Sequence, residues 1–165
     1  MAPTELATFA AGCFWGTEHI YNKHFKGIET KVGYTGGDLI NPSYKQVKTG
    51  TTDHAEVVEI KFDPEQITYE SLVEFFYKMH DPTTLNSQGP DVGTQYRSGI
   101  FYHSEEQKKI ADIVTERIQK EHYPNQPIVT EITPAGPFYD AETYHQFYLE
   151  KNPDGYACPT HYLRW

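Results

Sequence analysis

The stretch Gly12-Cys13-Phe14-Trp15-Gly16 holds the residues best able to do chemistry. Residues 4–11 before it are small and apolar and read as a strand, and residues 17–25 after it read as a helix. A strand, a Gly-flanked turn and a helix together put the cysteine at a helix N-terminus. Free backbone N–H groups there favour the thiolate over the thiol, and the thiolate is the nucleophile. Phe14 and Trp15 offer the sulfur an apolar wall, and Gly12 and Gly16 leave room for something to approach. A second reading stands beside this one: cysteine is among the most buried residue types, and Cys-Phe-Trp also fits a core.

A second cysteine, Cys158, lies near the other end of the chain in the turn-rich stretch 152–159. Two cysteines in 165 residues do not make a disulfide scaffold. The pair either staples the two ends or works as a redox pair with one sulfur on a mobile tail, and the turn-rich surroundings favour the second. Glu56 is a candidate acid. It falls on the same parity of strand 54–62 as Val58, Ile60 and Phe62, the row expected to face inward. A carboxyl there is costly unless neutral or paired, and burial would make it a proton donor near neutral pH. If the strand instead begins at Val57, Glu56 lies in solvent. Tyr44 sits in a polar loop that no core obviously claims. The long loop 81–94 and the residues just after it carry Asp91, Gln95 and Tyr96, and long ordered loops often bind.

A cysteine hydrolase would need a histidine base. Eight histidines are present; His54 is the first candidate and His161 the second. A cysteine phosphatase would need an Arg-terminated phosphate cradle, and Glu18 and His19 follow the cysteine instead. The histidines show no HExxH or paired-ligand spacing, so no metal is expected. A redox reading uses more of the chain. A thiolate takes the oxygen of an oxidised centre, a carboxylic acid protonates that oxygen, and the second cysteine resolves the sulfenic acid to a disulfide.

These residues need a frame. The length suits one domain over 1–165, with 150–165 as its tail. A hydrophobic share of 38% fits a folded enzyme, and a net charge of −9 argues against nucleic-acid or acidic-membrane partners. No run is long enough to span a membrane, and the N-terminus lacks a secretory pattern, so a cytoplasmic location is expected; nothing in the sequence demands more than a monomer. Strands are expected at 28–34, 54–62, 98–103 and 128–132. A helix over 69–80 carries Tyr69, Leu72, Val73, Phe76 and Met79 inward. A second over 105–121 starts with a Ser104/Gln107 capping box and buries Ile110, Ile113, Val114 and Ile118. Residues 41–53 read as a loop. Asp140 should cap a last helix over 141–149 with Tyr144, Phe147 and Tyr148 inward. The order fits an α/β (α+β) two-layer sandwich, with a split β-α-β ferredoxin-like core and a mostly antiparallel sheet.

Several ordered stretches resemble the A-type peptide methionine sulfoxide reductases. They are Gly12-Cys13-Phe14-Trp15-Gly16, His54-Ala55-Glu56-Val57, Asp81-Pro82-Thr83 and Gly89-Pro90-Asp91-Val92-Gly93-Thr94-Gln95-Tyr96-Arg97-Ser98. Tyr139-Asp140-Ala141-Glu142-Thr143-Tyr144-His145-Gln146 and Gly155-Tyr156-Ala157-Cys158-Pro159 resemble the C-terminal part, particularly of fungal-like members. The resemblance spans nearly the whole chain. It implies reduction of the S epimer of methionine sulfoxide, free or in proteins. Cys13 would be the nucleophile and Glu56 the acid. Tyr44 and Tyr96 would bond the sulfoxide oxygen, with Asp91 on the polar side of the pocket. Phe14 and Trp15 would receive the S-methyl group. Cys158 would resolve the sulfenic acid, and a thioredoxin-like protein would return the disulfide to thiols without a bound cofactor. With no further cysteine to relay the disulfide, the tail after Leu149 is expected to be exposed or mobile. A thiol peroxidase using the same cysteines is the alternative enzyme, and a methionine-reading binding module the non-enzymatic one.

Overall fold

The structure is a computed structural model that describes residues 4–165; residues 1–3 of the expected domain span lie outside the described residues. Strand β1 (Glu5–Ala11) leads through the Gly12-Cys13 turn into helix α1 (Phe14–His24), and β2 (Glu29–Thr35) follows. Strand β3 (Ala55–Phe62) lies between β1 and β2 and is antiparallel to both, pairing Phe9 with Val58 and Tyr34 with Glu56. The β1-α1-β2 unit is therefore split by β3, as the order of elements predicts.

Helix α2 (Tyr44–Lys48) precedes β3 and α3 (Tyr69–Met79) follows it. A two-stranded hairpin, β4 (Ser87–Gln88) and β5 (Asp91–Val92), leads to a 3₁₀ turn over Thr94–Tyr96 and then β6 (Ser98–Tyr102). Next come α4 (Glu105–His122), β7 (Glu131–Pro134), β8 (Tyr139–Asp140), a second 3₁₀ turn at Thr143–His145 and the short α5 (Tyr148–Lys151). The six-stranded sheet runs β7-β6-β1-β3-β2-β8, antiparallel except for the β6–β7 edge.

The three long helices share one face of this sheet. Alternation puts Ala7, Phe9 and Ala11 of β1 and Val58, Ile60 and Phe62 of β3 on that side, all buried. Phe9 stacks on Tyr21 of α1 and Phe76 of α3. The apolar row predicted for 69–80 is buried throughout. The opposite face is a thinner cluster of Ala10, Ala55, Val57 and Phe101, covered by Ala135 and Phe138.

Several local expectations give way to tertiary contacts. The polar loop 41–53 contains α2, whose N-terminus is closed by a reciprocal Ser43/Gln46 capping box. Ser104 does accept from the Gln107 N–H, but the Gln107 side chain accepts from His103 N–H and donates to Leu6 O, so that box is one-sided. Ile113 is exposed; Gln107, Ala111, Val114 and Ile118 form the buried row of α4. The strand expected at 128–132 is shifted to Glu131–Pro134.

The expected helix over 141–149 is the largest departure. Asp140 belongs to an edge strand, and Tyr144 and Phe147 are exposed. Gln146 uses its side-chain amide like a strand residue, accepting from Val32 N–H at 2.8 Å and donating to Val32 O at 2.9 Å. Glu18 of α1 takes the Phe147 N–H at 2.7 Å, and Phe147 turns left-handed with φ 52°. Local helix propensity is a weak preference, and these tertiary bonds outweigh it.

Candidate active site

Cys13 is the N-cap residue of α1, and its carbonyl accepts the Thr17 N–H and hydroxyl. The β1-turn-α1 path places its sulfur where the backbone N–H groups of Trp15 and Gly16 reach it. The helix-terminus donors predicted from the sequence are thus present, but they do not decide the resting state. Cys13 is buried, and the Glu56 and Asp91 charges lie close by. Burial first, and those charges next, push the thiol well above its ordinary value against the pull of the two N–H groups.

Glu56 is inward on β3, in the row with Val58, Ile60 and Phe62. Its Oε1 accepts the N–H of Phe14, the residue after Cys13, at 3.3 Å. Its Oε2 is buried without a partner. Burial, reinforced by the Asp91 charge and only partly opposed by the Phe14 N–H, pushes the carboxyl up to about 8. The site therefore holds a neutral carboxylic acid at neutral pH, with one oxygen uncommitted, beside the thiol.

Two phenols complete this neighbourhood. Tyr44 opens α2, and Glu142 accepts its N–H at 3.0 Å while also taking the Tyr34 hydroxyl at 2.9 Å. Tyr96 closes the first 3₁₀ turn. The next residue, Arg97, locks that turn by donating to Thr94 O, Asp53 O and Glu131. Burial and then the Glu56 charge push Tyr44 to about 12 and raise Tyr96 as well, with Cys13 contributing to both. Both remain protonated, so toward an oxyanion each is a donor. Asp91, on β5, accepts the Tyr156 hydroxyl at 3.0 Å. Its charge is felt by Cys13, Glu56 and Cys158.

The apolar side is built on α1. Phe14 is fully buried against Tyr34, Tyr44 and His145, so it backs the pocket from inside. Trp15 keeps part of its ring in the open. Its indole N–H donates to His145 Nδ1 at 2.8 Å, and its ring stacks on Tyr148 at 3.8 Å with planes 12° apart. His145 is completely buried, and burial lowers its pKa, so it stays neutral and holds the indole in one orientation.

Most of the tail after Leu149 is exposed, as expected, but Cys158 itself is buried. Its Sγ lies 3.1 Å from Thr160 Oγ1 and 3.7 Å from Gln88 O. The turn following it is seated on the end of β1 beside Cys13, with His161 Nε2–H donating to Ala11 O at 2.7 Å. The space at Gly12 and Gly16 is filled by the chain itself. A Cβ on Gly12 would meet the Gln88 side chain at 2.8 Å, and one on Gly16 would strike the His161 ring. Both cysteines are free thiols.

The structure thus gathers Cys13, Glu56, Tyr44, Tyr96, Asp91, Phe14 and Trp15 in one place and seats the Cys158 turn beside them. It does not bring a histidine base to the thiol. His54 accepts the Gly37 N–H and bonds Leu39 O, holding the loop after β2, and His161 bonds the main chain. Among the described residues no group of three His, Cys, Asp or Glu side chains is placed to hold a metal ion. Glu142, His145, Glu18, Gln88 and Arg97 support the site without having been singled out in the sequence. Glu18 was within reach of helix arithmetic: Phe14, Glu18 and Tyr21 share one face of α1, and all three are buried. The others reach the site through contacts between distant residues, from 34 apart for Arg97–Glu131 to 130 for His145–Trp15, and such contacts leave no local periodic signal.

Residues 5–163 match the family model described as peptide methionine sulfoxide reductase. The probable peptide methionine sulfoxide reductase of Schizosaccharomyces pombe is 54% identical, over 98% of this chain and 97% of its own. The crystal structure of Mxr1 from Saccharomyces cerevisiae in reduced form superposes with a TM-score of 0.93 at 50% identity, covering 98% of this chain and 93% of that one. Mxr1 in complex with Trx2 superposes with a TM-score of 0.67 at 36% identity, covering 98% and 91%.

Proposed function

This chain belongs to the peptide methionine sulfoxide reductase family, and from that membership and the site geometry we infer how it works. It is a thioredoxin-dependent oxidoreductase of the A type that reduces methionine sulfoxide. Its catalytic residues are Cys13, Glu56, Tyr44 and Tyr96, with Cys158 closing the cycle.

The substrate sulfur sits over Cys13 with its methyl group against Trp15 and its oxygen toward Glu56, Tyr44 and Tyr96. A sulfoxide is pyramidal, so fixing methyl and oxygen selects one hand, the S epimer. A site built to pair a polar group rejects an arrangement that leaves it unpaired. The Cys13 sulfur bonds the sulfoxide sulfur as the oxygen takes the Glu56 proton, while the two phenols stabilise the charge on it. That S–S bond then breaks as the hydroxyl passes to Cys13, leaving the thioether and a sulfenic acid. The proton of the Cys13 thiol restores the Glu56 acid. Cys158 next attacks the oxidised sulfur, water leaves, and a Cys13–Cys158 disulfide forms. Thioredoxin returns both thiols. The yeast complex with Trx2 supports this partner.

The observation that carries the reading is the buried Glu56 carboxyl, pushed to about 8 with one oxygen free, bonded to the residue next to the nucleophile. The test is a single turnover of reduced protein with each sulfoxide epimer and no external reductant. The expected result is one equivalent of methionine from the S epimer only and a protein lighter by about 2 Da, the two hydrogens of a disulfide. No methionine from either epimer, with peroxide oxidising Cys13 rapidly, would replace this reading with a thiol peroxidase.

A further inference from the structure

The tail after α5 contains no strand and only turns, yet Cys158 is held in place. The hold comes from the far end of the tail. Arg164 donates its backbone N–H to Lys78 O at 3.1 Å and its Nη1 to the same oxygen at 3.3 Å. Lys78 lies in the last turn of α3, whose end leaves carbonyls unpaired and carries partial negative charge. The same guanidinium folds back over its own segment, with Nη1 on Tyr162 O and Nη2 on Thr160 O, both at 2.8 Å. It also lies over the Tyr162 ring at 4.2 Å. Trp165 stacks on His122, the last residue of α4, at 3.6 Å with planes 6° apart.

A line of contacts runs from this grip to the sulfur. Arg164 holds the Thr160 carbonyl, and the Thr160 hydroxyl touches Cys158 Sγ and donates to Gln88 Oε1. Gln88 packs against Gly12, and His161 bonds Ala11 O, on the loop that carries Cys13. We propose that Arg164 and Trp165 are positioning residues for the resolving step: they clamp the end of the tail to the C-termini of α3 and α4, so that Cys158 stays within reach of Cys13. This rests on the assignment of Cys158 as the resolving cysteine. In the step concerned, the Cys158 sulfur bonds the Cys13 sulfur and the S–O bond of the sulfenic acid breaks. The hydroxide leaves as water with the proton of the Cys158 thiol. The rate of such an intramolecular step follows the local concentration of the attacking group, and small misplacements cost it heavily. Neither residue touches the substrate pocket, so the oxygen transfer should not feel them.

The experiment is a rapid-quench single turnover of Arg164→Ala and Trp165→Ala without reductant. It follows methionine release and the Cys13–Cys158 disulfide separately and traps sulfenic acid with a dione reagent. The expected result is a methionine burst at the wild-type rate, disulfide formation slowed by about tenfold or more, and sulfenic acid trapped on Cys13. Arg164→Lys, which keeps the charge but not the fork, should recover only part of the rate. A disulfide rate equal to wild type in both alanine variants overturns the proposal. So does an equal slowing of burst and disulfide, which marks the clamp as merely structural. If wild-type protein itself forms no Cys13–Cys158 disulfide, it is the assignment of Cys158 that fails. The burst reports a folded site, and the Trp165 variant stands if Arg164→Ala does not fold.

Discussion

At neutral pH Glu56 and Cys13 both hold their protons, because both are buried, the Asp91 charge raises the cost of charge on each, and a charged Glu56 adds to it at Cys13. The pair enters the reaction loaded, and the sulfoxide draws out one proton as the other is returned. Two consequences follow from a Glu56 pKa of about 8 against an ordinary value of 4.5. The first is kinetic. The protonated acid is present below about pH 8 and lost above it, so kcat/KM should fall on the alkaline side with a midpoint near 8. Glu56→Gln should lose roughly 10²–10⁴-fold in kcat, the usual worth of a positioned acid. A profile flat between pH 7 and 9 would count against Glu56 as the donor. The second is thermodynamic. Between pH 4.5 and 8 the folded chain keeps a proton that the unfolded chain releases, so stability drains as pH rises through that window. Glu56→Gln removes the drain. Its Tm should exceed that of the wild type by several degrees at pH 8 and by little at pH 5, at roughly 2–4 °C per kcal/mol for a chain of this size. Thermal melts at the two pH values would decide it, and a gap that shrinks toward pH 8 would show the sign to be wrong.

The β1-turn-α1 element does more than present a sulfur. Its two glycines are occupied by the chain's own return: Gln88 against Gly12 and the His161 ring against Gly16. A methyl group at Gly16 would favour the helix by roughly 0.5–1 kcal/mol but would displace His161 and with it the turn that buries Cys158. Gly16→Ala should therefore unlock the tail. Alkylation of Cys158 in the reduced protein, followed by peptide mass spectrometry, should be clearly faster than in the wild type. Equal rates would mean that the His161 contact does not hold the turn. The segment after β8 makes a similar point: Gln146 bonds β2, and Phe147 and His145 bond Glu18 and Trp15 of α1, which keeps Trp15 and Tyr148 in register.

The whole molecule gives this site its rigidity through one aromatic core on the helix side of the sheet. Phe9, fully buried, stacks on Tyr21, Tyr69 and Phe76 and so joins β1 to α1 and α3, three residues before the Gly12-Cys13 turn begins. Phe9→Ala should cost roughly 3–5 kcal/mol, read as a lower urea midpoint at an unchanged m-value. The protein that remains folded should keep most of its activity per molecule, because Phe9 does not reach the site. A midpoint within error of the wild type would mean that this core does not carry the stability.

Much of this was legible in one dimension. Alternation along β3 put Glu56 in the row of Val58, Ile60 and Phe62 provided the strand reached it, and the start of β3 at Ala55 met that condition. The strand-turn-helix pattern placed Cys13 at a helix start, and the order of elements predicted the split β-α-β sheet. The residues by themselves also offered two cysteines and one candidate acid for a redox reading, while the roles of the two phenols came only with the family resemblance. The tertiary structure alone decided their states and the course of the tail. Burial raised the Cys13 thiol although its helix position favours the thiolate, because desolvation depends on everything packed around a group and not on its neighbours in the chain. The helix expected over 141–149 dissolved into bonds to Glu18 and Val32, and within a largely exposed tail Cys158 was buried by contacts to Gln88 and, through the turn at His161, to Ala11. Those partners lie far away in sequence, and a contact between distant residues has no period for a sequence to display.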